Sequence, residues 1–160
     1  MVALVWAQTP DGVIGDAGTI PWHVPEDMAH FRELTAGGTV VMGRATWQSL
    51  PERFRPLPGR ANVVLSRDVS FEAPGAAVVD DLDAALTDHP DAWVIGGGAV
   101  YAQAVERADR LEVTVVDLDV AGDTRAPDVP PGWRLVTGGP QAPWLVSRTG
   151  TRYRFDTWRR

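Results

Sequence analysis

Short apolar runs of strand length alternate with stretches of helical spacing along most of the chain. The first run, at residues 2–7, is continuous and is typical of a buried central strand. Further strand patterns lie at 39–42, 62–67, 76–79, 93–95, 111–116, 133–137 and 152–158, and helical patterns lie at 25–36, 44–50, 82–86 and 99–108. This order predicts a single α/β domain over residues 1–160, with a mostly parallel central sheet, flanking helices and antiparallel C-terminal strands.

The helix that begins near Pro25 carries an acid on its apolar side. Pro25 suits the first helical position, and Glu26 and Asp27 suit the positive end of the helix dipole. At 3.6 residues per turn, Asp27 shares a stripe with Phe31 and Leu34. Asp27 either caps the helix and reaches water, or is a carboxylate at the back of an apolar cleft that binds a ligand with N–H donors.

A long loop follows the first strand. Residues 9–21 contain three glycines and two prolines, and the large apolar residues among them show neither helical nor strand spacing. Loops of this length beside a central strand are uncommon unless they are functional, so we predict an active-site lid. A plain surface connection would leave Val13, Ile14 and Ile20 exposed.

Glycines, hydroxyls and arginines follow three of the predicted strands. Gly43 and Arg44 come after one strand, Ser66 and Arg67 end the next, and glycines 96–98 separate a strand from a helix. Backbone N–H groups at such positions bind phosphates. The glycine run is not G-x-G-x-x-G, because Tyr101 stands where the last glycine would be.

Composition and charge restrict the chemistry. The chain has no cysteine and no lysine, and its three histidines are scattered, which excludes thiolate chemistry and lysine Schiff bases and leaves no obvious metal cluster. The net charge is −6, yet residues 32–67 contain six arginines and two acids, whereas residues 68–128 contain fourteen acids and three arginines. A small basic enclave suits a compact anionic ligand and argues against nucleic acid. With no apolar run of membrane length and no signal-like start, we expect a cytoplasmic protein with no membrane partner.

The motifs fall in a characteristic order. They are Gly-x-Ile-Gly at 12–15, Pro-Trp at 21–22, Pro-Glu-Asp at 25–27, Met-Gly-Arg-x-Thr-Trp at 42–47, Leu-Pro-Gly-Arg at 57–60, Leu-Ser-Arg at 65–67, Ile-Gly-Gly-Gly at 95–98 and Gly-Asp-Thr at 122–124. Together with Phe31, Tyr101 and Thr114, they resemble the dihydrofolate reductase family over nearly the whole chain. Their spacing and the linking residues look most like the actinobacterial members.

The resemblance implies NADPH-dependent reduction of 7,8-dihydrofolate, with hydride transfer to C6 and protonation of N5. It assigns Asp27 to the pterin 2-amino group and N3, Thr114 to the support of Asp27, and Trp22 to an ordered water. The implied substrate-binding residues are Val5, Asp27, Phe31, Arg32, Leu50, Leu57, Arg60 and Ile95, with Arg60 on the glutamate carboxylate. The implied cofactor-binding residues are Ala7, Ile14, Gly15, Ile20, Gly43, Arg44, Thr46, Leu65, Ser66, Arg67, Gly96, Gly97, Gly98, Val100 and Tyr101.

Within the implied cofactor site, Arg44, Ser66 and Arg67 hold the 2′-phosphate, and the loop from Gly15 to Ile20 covers the nicotinamide. The implied partners are dihydrofolate and antifolates, with a monomer as the expected state and no metal. Two alternatives stay open. One is a related NADPH reductase of riboflavin biosynthesis, against which Trp22, Asp27 and Arg60 argue, and the other is a non-catalytic nucleotide-binding module.

Overall fold

The computed structural model describes all 160 residues, and its centre is a nine-stranded sheet. Along the main path the strands are ordered β10-β11-β7-β1-β6-β3-β4-β5, and β9 also pairs with β11. The strands are β1 (Ala3–Gln8), β2 (Val13–Gly15), β3 (Thr39–Gly43), β4 (Ala61–Leu65), β5 (Ala77–Val79), β6 (Trp93–Val94), β7 (Arg110–Val116), β8 (Thr124–Arg125), β9 (Arg134–Thr137), β10 (Leu145–Val146) and β11 (Arg152–Arg159).

The strands from β7 to β5 are mutually parallel, and β11 joins β7 antiparallel. The predicted fold class, with its antiparallel C-terminal strands, is therefore confirmed. The helices are α1 (Pro25–Thr35), α2 (Arg44–Ser49), α3 (Leu82–Asp88) and α4 (Gly98–Ala104), with short 3-10 turns at Glu52–Phe54 and Val105–Arg107. No helix has both the length and the apolar character that a membrane crossing requires.

Successive side chains along the central strands alternate in direction, and this divides the core between the two faces of the sheet. In β3, Val41 belongs to one apolar cluster, whereas Val40 and Met42 on either side belong to the other. The period of two along a strand produces this division, because successive side chains point to opposite faces. All three side chains are completely buried, which explains why the strand reads as a continuous apolar run.

Parallel register brings the ends of neighbouring strands together. Gly43 at the end of β3 pairs with Leu65 at the end of β4. Arg44 and Ser66, the next residues in the chain, therefore start from adjacent points on the carboxyl edge of the sheet. Ligands in open α/β sheets bind at this edge.

Three local predictions were wrong in detail. The loop at 9–21 was expected to contain no strand, but Val13–Gly15 pairs with Thr124–Arg125 in a separate two-stranded sheet. Strand β10 was not predicted, and the helix expected at 99–108 ends at Ala104 and continues as a 3-10 turn. The two-residue and three-residue strands owe their form to distant partners, which a local pattern does not contain.

Candidate active site

The Asp27 carboxylate lies against the central sheet. Pro25 occupies the first turn of α1, and the hydroxyl of Thr114 on β7 donates a 2.5 Å hydrogen bond to Asp27 Oδ1. Thr114 is buried and pairs with Ala7 of β1. Asp27 accepts no hydrogen bond from the backbone of its own helix, so the geometry favours a carboxylate in a cleft over a helix cap.

Burial dominates the electrostatics of Asp27. Desolvation raises the pKa of its carboxyl group, while the Thr114 hydrogen bond and the nearby His30 act in the opposite direction. His30 is held in place by stacking on Phe155, with ring centroids 4.0 Å apart. Asp27 has no ion-pair partner within the protein, which suits a ligand that supplies N–H donors.

The segment before α1 is fastened to the C-terminal hairpin. The Glu26 carboxylate accepts a 2.6 Å hydrogen bond from Ser147 Oγ, and Thr149 Oγ1 donates to the His23 carbonyl at 2.9 Å. The Ser147 hydrogen bond lowers the pKa of Glu26. Trp22 packs against the small cluster of Val24, Val116 and Tyr153. Sequence reasoning assigned Glu26 only to the positive end of the helix dipole, because its partner Ser147 is 121 residues away.

An apolar wall stands next to Asp27. Phe31, Leu50 and Ile95 pack around one buried cluster that includes Leu57. Val5 is buried on β1, two residues before Ala7, and therefore faces the same side of the sheet as Ala7 and Thr114. Of the side chains that sequence reasoning assigned to the substrate pocket, the structure brings Phe31, Leu50, Leu57 and Ile95 together in one cluster.

Arg60 lies beside this wall. Its guanidinium donates to Thr35 Oγ1 at 3.1 Å and to the Pro58 carbonyl at 3.0 Å, and it is 5.9 Å from the centre of the Phe31 ring. Desolvation, with a smaller contribution from Arg32, lowers the pKa of Arg60. Arg60 has no acidic partner in the protein, and Arg32 is exposed, so two cations face a position where a ligand carboxylate would be stabilised.

Asn62 organises the turn that carries Arg60, and sequence reasoning missed it. Its buried side-chain amide accepts from Leu57 N at 2.9 Å and donates to the carbonyls of Leu57 and Arg60, each at 3.0 Å. The available signal was a polar residue at the start of a strand that is otherwise apolar. Buried amides of this kind hold turns in one conformation.

The glycine segment between β6 and α4 leaves a narrow space beside Thr46. A Cβ atom on Gly96 would lie 3.2 Å from Thr46 Oγ1, and one on Gly97 would lie 3.4 Å from it. Gly96 has a φ of +131°, and its peptide bond to Gly97 is cis. The Gly96 carbonyl accepts from Gly43 N at 2.8 Å, and Val100 contacts Gly43 from α4. Bare backbone and one hydroxyl therefore line this edge, as phosphate binding requires.

Tyr101 connects helix α4 to strand β1. Its hydroxyl donates to the Val5 carbonyl at 2.7 Å, and its ring contacts Trp6 at a centroid distance of 5.3 Å. Burial, together with the negative charge of Asp27, raises the pKa of the Tyr101 phenol. Tyr101 thus remains a neutral hydrogen-bond donor that fixes α4 on β1.

The predicted phosphate-binding arginines differ in their surroundings. Arg44 forms an ion pair with Asp68 at 3.3 Å, whereas Arg67 is exposed and makes no hydrogen bond or ion pair. Leu65 and Ser66, which directly precede Arg67 in the chain, are both half-buried. The charge pattern assigned Asp68 to the acidic half of the sequence, but the structure places it within the basic enclave.

The predicted lid is attached to the rest of the protein through Asp123. Asp123 Oδ2 accepts from Ala17 N at 3.0 Å, and Asp123 N donates to the Gly15 carbonyl at 3.1 Å. Ile14 is half-buried and packs on the larger core cluster, whereas Ile20 is 63% exposed. Ile20 belongs to none of the three apolar clusters, and most of its side chain faces solvent.

Comparison with known proteins identifies this architecture. A glycine-lined carboxyl edge of a parallel sheet, with the half-buried Asp27 carboxylate in the same domain, fits a nucleotide-dependent α/β enzyme. The dihydrofolate reductase family model matches residues 1–160, and the chain belongs to this family.

Named relatives agree with this membership. The chain is 56% identical over 163 residues to a dihydrofolate reductase of Mycobacterium tuberculosis (strain H37Rv), which covers 100% of this chain and 98% of the relative. It is 47% identical over 166 residues to that of Mycobacterium leprae, with the same two coverages. Both matches confirm the predicted actinobacterial type.

A solved structure gives the same fold. The dihydrofolate reductase of Enterococcus faecalis, in complex with NADP(H) and RAB-propyl, superposes with a TM-score of 0.88 at 32% identity, covering 100% of this chain and 96% of that one. The predicted family and fold are therefore confirmed by sequence and by structure.

Proposed function

We propose that this chain catalyses the NADPH-dependent reduction of 7,8-dihydrofolate to 5,6,7,8-tetrahydrofolate. The observation that carries the proposal is the half-buried Asp27 carboxylate, which accepts a hydrogen bond from Thr114 and forms no ion pair within the protein. A carboxylate in this state binds a flat ring that offers two adjacent N–H donors, such as the pterin 2-amino group and N3.

The remaining substrate contacts follow from the wall and the arginine beside it. Phe31, Leu50 and Leu57, with Val5 and Ile95, provide apolar surface for the pterin and benzoyl rings. Arg60 pairs with the glutamate carboxylate, and the more exposed Arg32 adds positive potential. The Asp27 carboxylate at one end of the pocket and the Arg60 cation at the other would orient a substrate whose polar ends are complementary to them.

The residues at the carboxyl edge fit a dinucleotide phosphate. The space between Thr46 and the glycines would be filled by any Cβ atom, and the backbone there can approach a pyrophosphate closely. Arg44, Ser66 and Arg67 would hold the 2′-phosphate, and Ala7, Ile14, Tyr101 and Ile20 would surround the nicotinamide. When bound, the reduced nicotinamide supplies a hydride, which adds to C6 as a proton adds to N5.

Asp27 contributes electrostatically to the proposed chemistry. A fixed negative charge against the pterin favours the ring protonated at N5, because that form is the better hydride acceptor. The proton itself comes from solvent through the water assigned to Trp22. Asp27 thus lowers the barrier without passing its own proton to the substrate.

The experiment that tests the proposal follows NADPH absorbance with purified protein. We expect oxidation of NADPH that depends on dihydrofolate, no reaction with a pyrimidine substrate of riboflavin biosynthesis, and inhibition by methotrexate. Turnover of the pyrimidine alone would replace the proposal with the related reductase. Cofactor binding without turnover of either substrate would indicate a nucleotide-binding module.

We also propose that the protein acts as a monomer in the cytoplasm. Light scattering coupled to gel filtration should give a mass near 17.3 kDa at catalytic concentrations. A stable dimer at those concentrations would refute the monomer and leave the proposed reaction untouched.

A further inference from the structure

An acid of the chain itself occupies one side of the predicted phosphate site. Asp68 Oδ2 lies 3.3 Å from Arg44 Nη1, and the two side chains are 49% and 42% exposed. The guanidinium carbon of Arg44 also lies 4.2 Å from the centre of the Phe71 ring. Arg44 is thus held by an aromatic face and by a carboxylate.

The Asp68 carboxylate is fixed by its own turn. Its Oδ1 accepts from Ser70 Oγ at 2.6 Å and from Ser70 N at 2.9 Å, and its backbone N donates to Ser66 Oγ at 3.2 Å. The two hydrogen bonds from Ser70, with a smaller contribution from Arg44, lower the pKa of Asp68, so the carboxylate stays ionised near neutral pH. The negative charge is therefore a permanent feature of the turn that also holds Ser66.

We propose that Asp68 is a specificity-determining residue that competes with the cofactor 2′-phosphate for Arg44 and so limits the preference for NADPH over NADH. The inference rests on the proposed function, which assigns Arg44, Ser66 and Arg67 to the 2′-phosphate. A phosphate at Arg44 would have to displace the Asp68 carboxylate and then remain close to it. NADH has only a hydroxyl at the same position, so it experiences no such repulsion.

Loss of Asp68 would not release Arg44. The Phe71 contact remains, and cation–π contacts at partly exposed sites are comparable in strength with exposed ion pairs. Arg67 makes no ion pair, so the acid acts mainly through Arg44. Removing the negative charge should therefore strengthen phosphate binding.

The test replaces Asp68 with asparagine, which keeps the Oδ1 acceptor for Ser70 and removes the charge. NADPH and NADH affinities would be measured by fluorescence titration at low ionic strength. Because exposed pairs of this kind are weak, we expect NADPH to bind about two- to fivefold more tightly, with NADH unchanged. Glu72→Gln is the matched control, since Glu72 is a nearby exposed acid without an ion pair, and it should change neither affinity.

A second probe and a double mutant locate the effect. Adenosine 2′,5′-bisphosphate should gain affinity in Asp68→Asn, whereas 5′-AMP should not. In an Arg44→Ala background, Asp68→Asn should have a clearly smaller effect, because the two residues interact directly. Unchanged NADPH binding in Asp68→Asn would overturn the inference. Weaker binding would also overturn it and would indicate that Asp68 positions Arg44.

The arginine variants distinguish the two levels of the argument. If Arg44→Ala and Arg67→Ala lower the ratio of NADPH to NADH affinity but Asp68→Asn does not raise it, the inference about Asp68 fails alone. If neither arginine variant changes the ratio, the phosphate assignment under the proposed function fails, and the inference fails with it. Turnover of dihydrofolate can persist in both cases.

Discussion

Thr114 on β7 and Asp27 on α1 are 87 residues apart in the chain, and their side chains are joined by a 2.5 Å hydrogen bond. The bond attaches the first turn of the helix to the centre of the sheet. It also stabilises the ionised form of an acid that burial would otherwise push toward neutrality. The structure therefore maintains a carboxylate where an unassisted acid would protonate more easily.

Asp27→Asn should show how much of the proposed reaction depends on the negative charge of Asp27 rather than on the size of its side chain. The amide keeps the size and one hydrogen-bonding arm, but it no longer favours the protonated pterin. We expect hydride transfer at neutral pH to fall on the order of 10²-fold or more, the range of acid–base assistance. The variant's rate should climb as pH falls, because solution protonation of the substrate replaces the carboxylate, whereas the wild type reaches a plateau. Stopped-flow traces with ordinary and deuterated NADPH measure this, and a wild-type rate and pH profile would contradict it.

The same substitution should stabilise the folded protein. Burial raises the pKa of Asp27 above its value in the unfolded chain, so the folded state holds this proton more tightly. The free energy of unfolding therefore decreases as the pH rises from the pKa of Asp27 in the unfolded chain to its pKa in the folded protein. Above both pKa values the full loss of stability is present. Asp27→Asn removes that cost. Its urea midpoint should exceed the wild-type midpoint at pH 7, and the difference should shrink toward about pH 4.

Glu33→Gln provides the control for this stability effect, because Glu33 is an exposed acid on the same helix. It should shift the midpoint little at any pH. A stability gain in Asp27→Asn that is the same at pH 4 and pH 7 would show that ionisation is not its cause.

Arg60→Ala should discriminate between two kinds of antifolate. Hydrogen bonds between charged groups contribute about 1.5 to 3 kcal/mol, so methotrexate, which carries the glutamate carboxylates, should bind roughly ten- to a hundredfold more weakly. Trimethoprim has no carboxylate and should bind almost as before. Arg53→Ala removes another arginine of the enclave, one that has no acidic partner, and should leave both inhibitors unchanged. Equal losses for both inhibitors in Arg60→Ala would make Arg60 a structural residue.

Local signals were sufficient for the parts of the fold that depend on neighbours in sequence. Pro25 does begin α1, and the apolar run ending at Met42 is a strand that leads into Gly43. The residues at the carboxyl edge, where we propose that phosphates bind, were predictable for the same reason, since each strand and the residues that follow it are contiguous. Parallel pairing then placed Arg44 and Ser66 side by side.

The features that sequence reasoning missed depend on contacts between distant segments. The partners of Glu26 lie in the C-terminal hairpin, and β2 becomes a strand only because residues 124–125 lie alongside it. Asp68 was missed for a different reason. It directly follows Arg67 in the sequence, but a count of charges along the chain cannot show which arginine it faces.

Asn62 offers a test of how the turn before β4 supports the proposed substrate site. Asn62→Ala would leave the Leu57 N–H and the carbonyls of Leu57 and Arg60 without their partner in a buried place. Each unsatisfied group costs about 1 to 3 kcal/mol, and entering water recovers part of that, so the free energy of unfolding should fall by roughly 2 to 4 kcal/mol.

Loss of the Asn62 hydrogen bonds should also weaken ligand binding, because the turn holds Arg60 beside Phe31. Asn62→Ala should weaken methotrexate binding, leave NADPH binding unchanged, and have little additional effect on methotrexate when combined with Arg60→Ala. Asn62→Asp keeps the acceptor for Leu57 N but turns a negative charge toward two carbonyl oxygens, so it should be at least as unstable as Asn62→Ala. Urea denaturation and inhibitor titration measure the two effects separately. If Asn62→Ala lost stability but kept full methotrexate affinity, the turn would hold the fold without positioning Arg60.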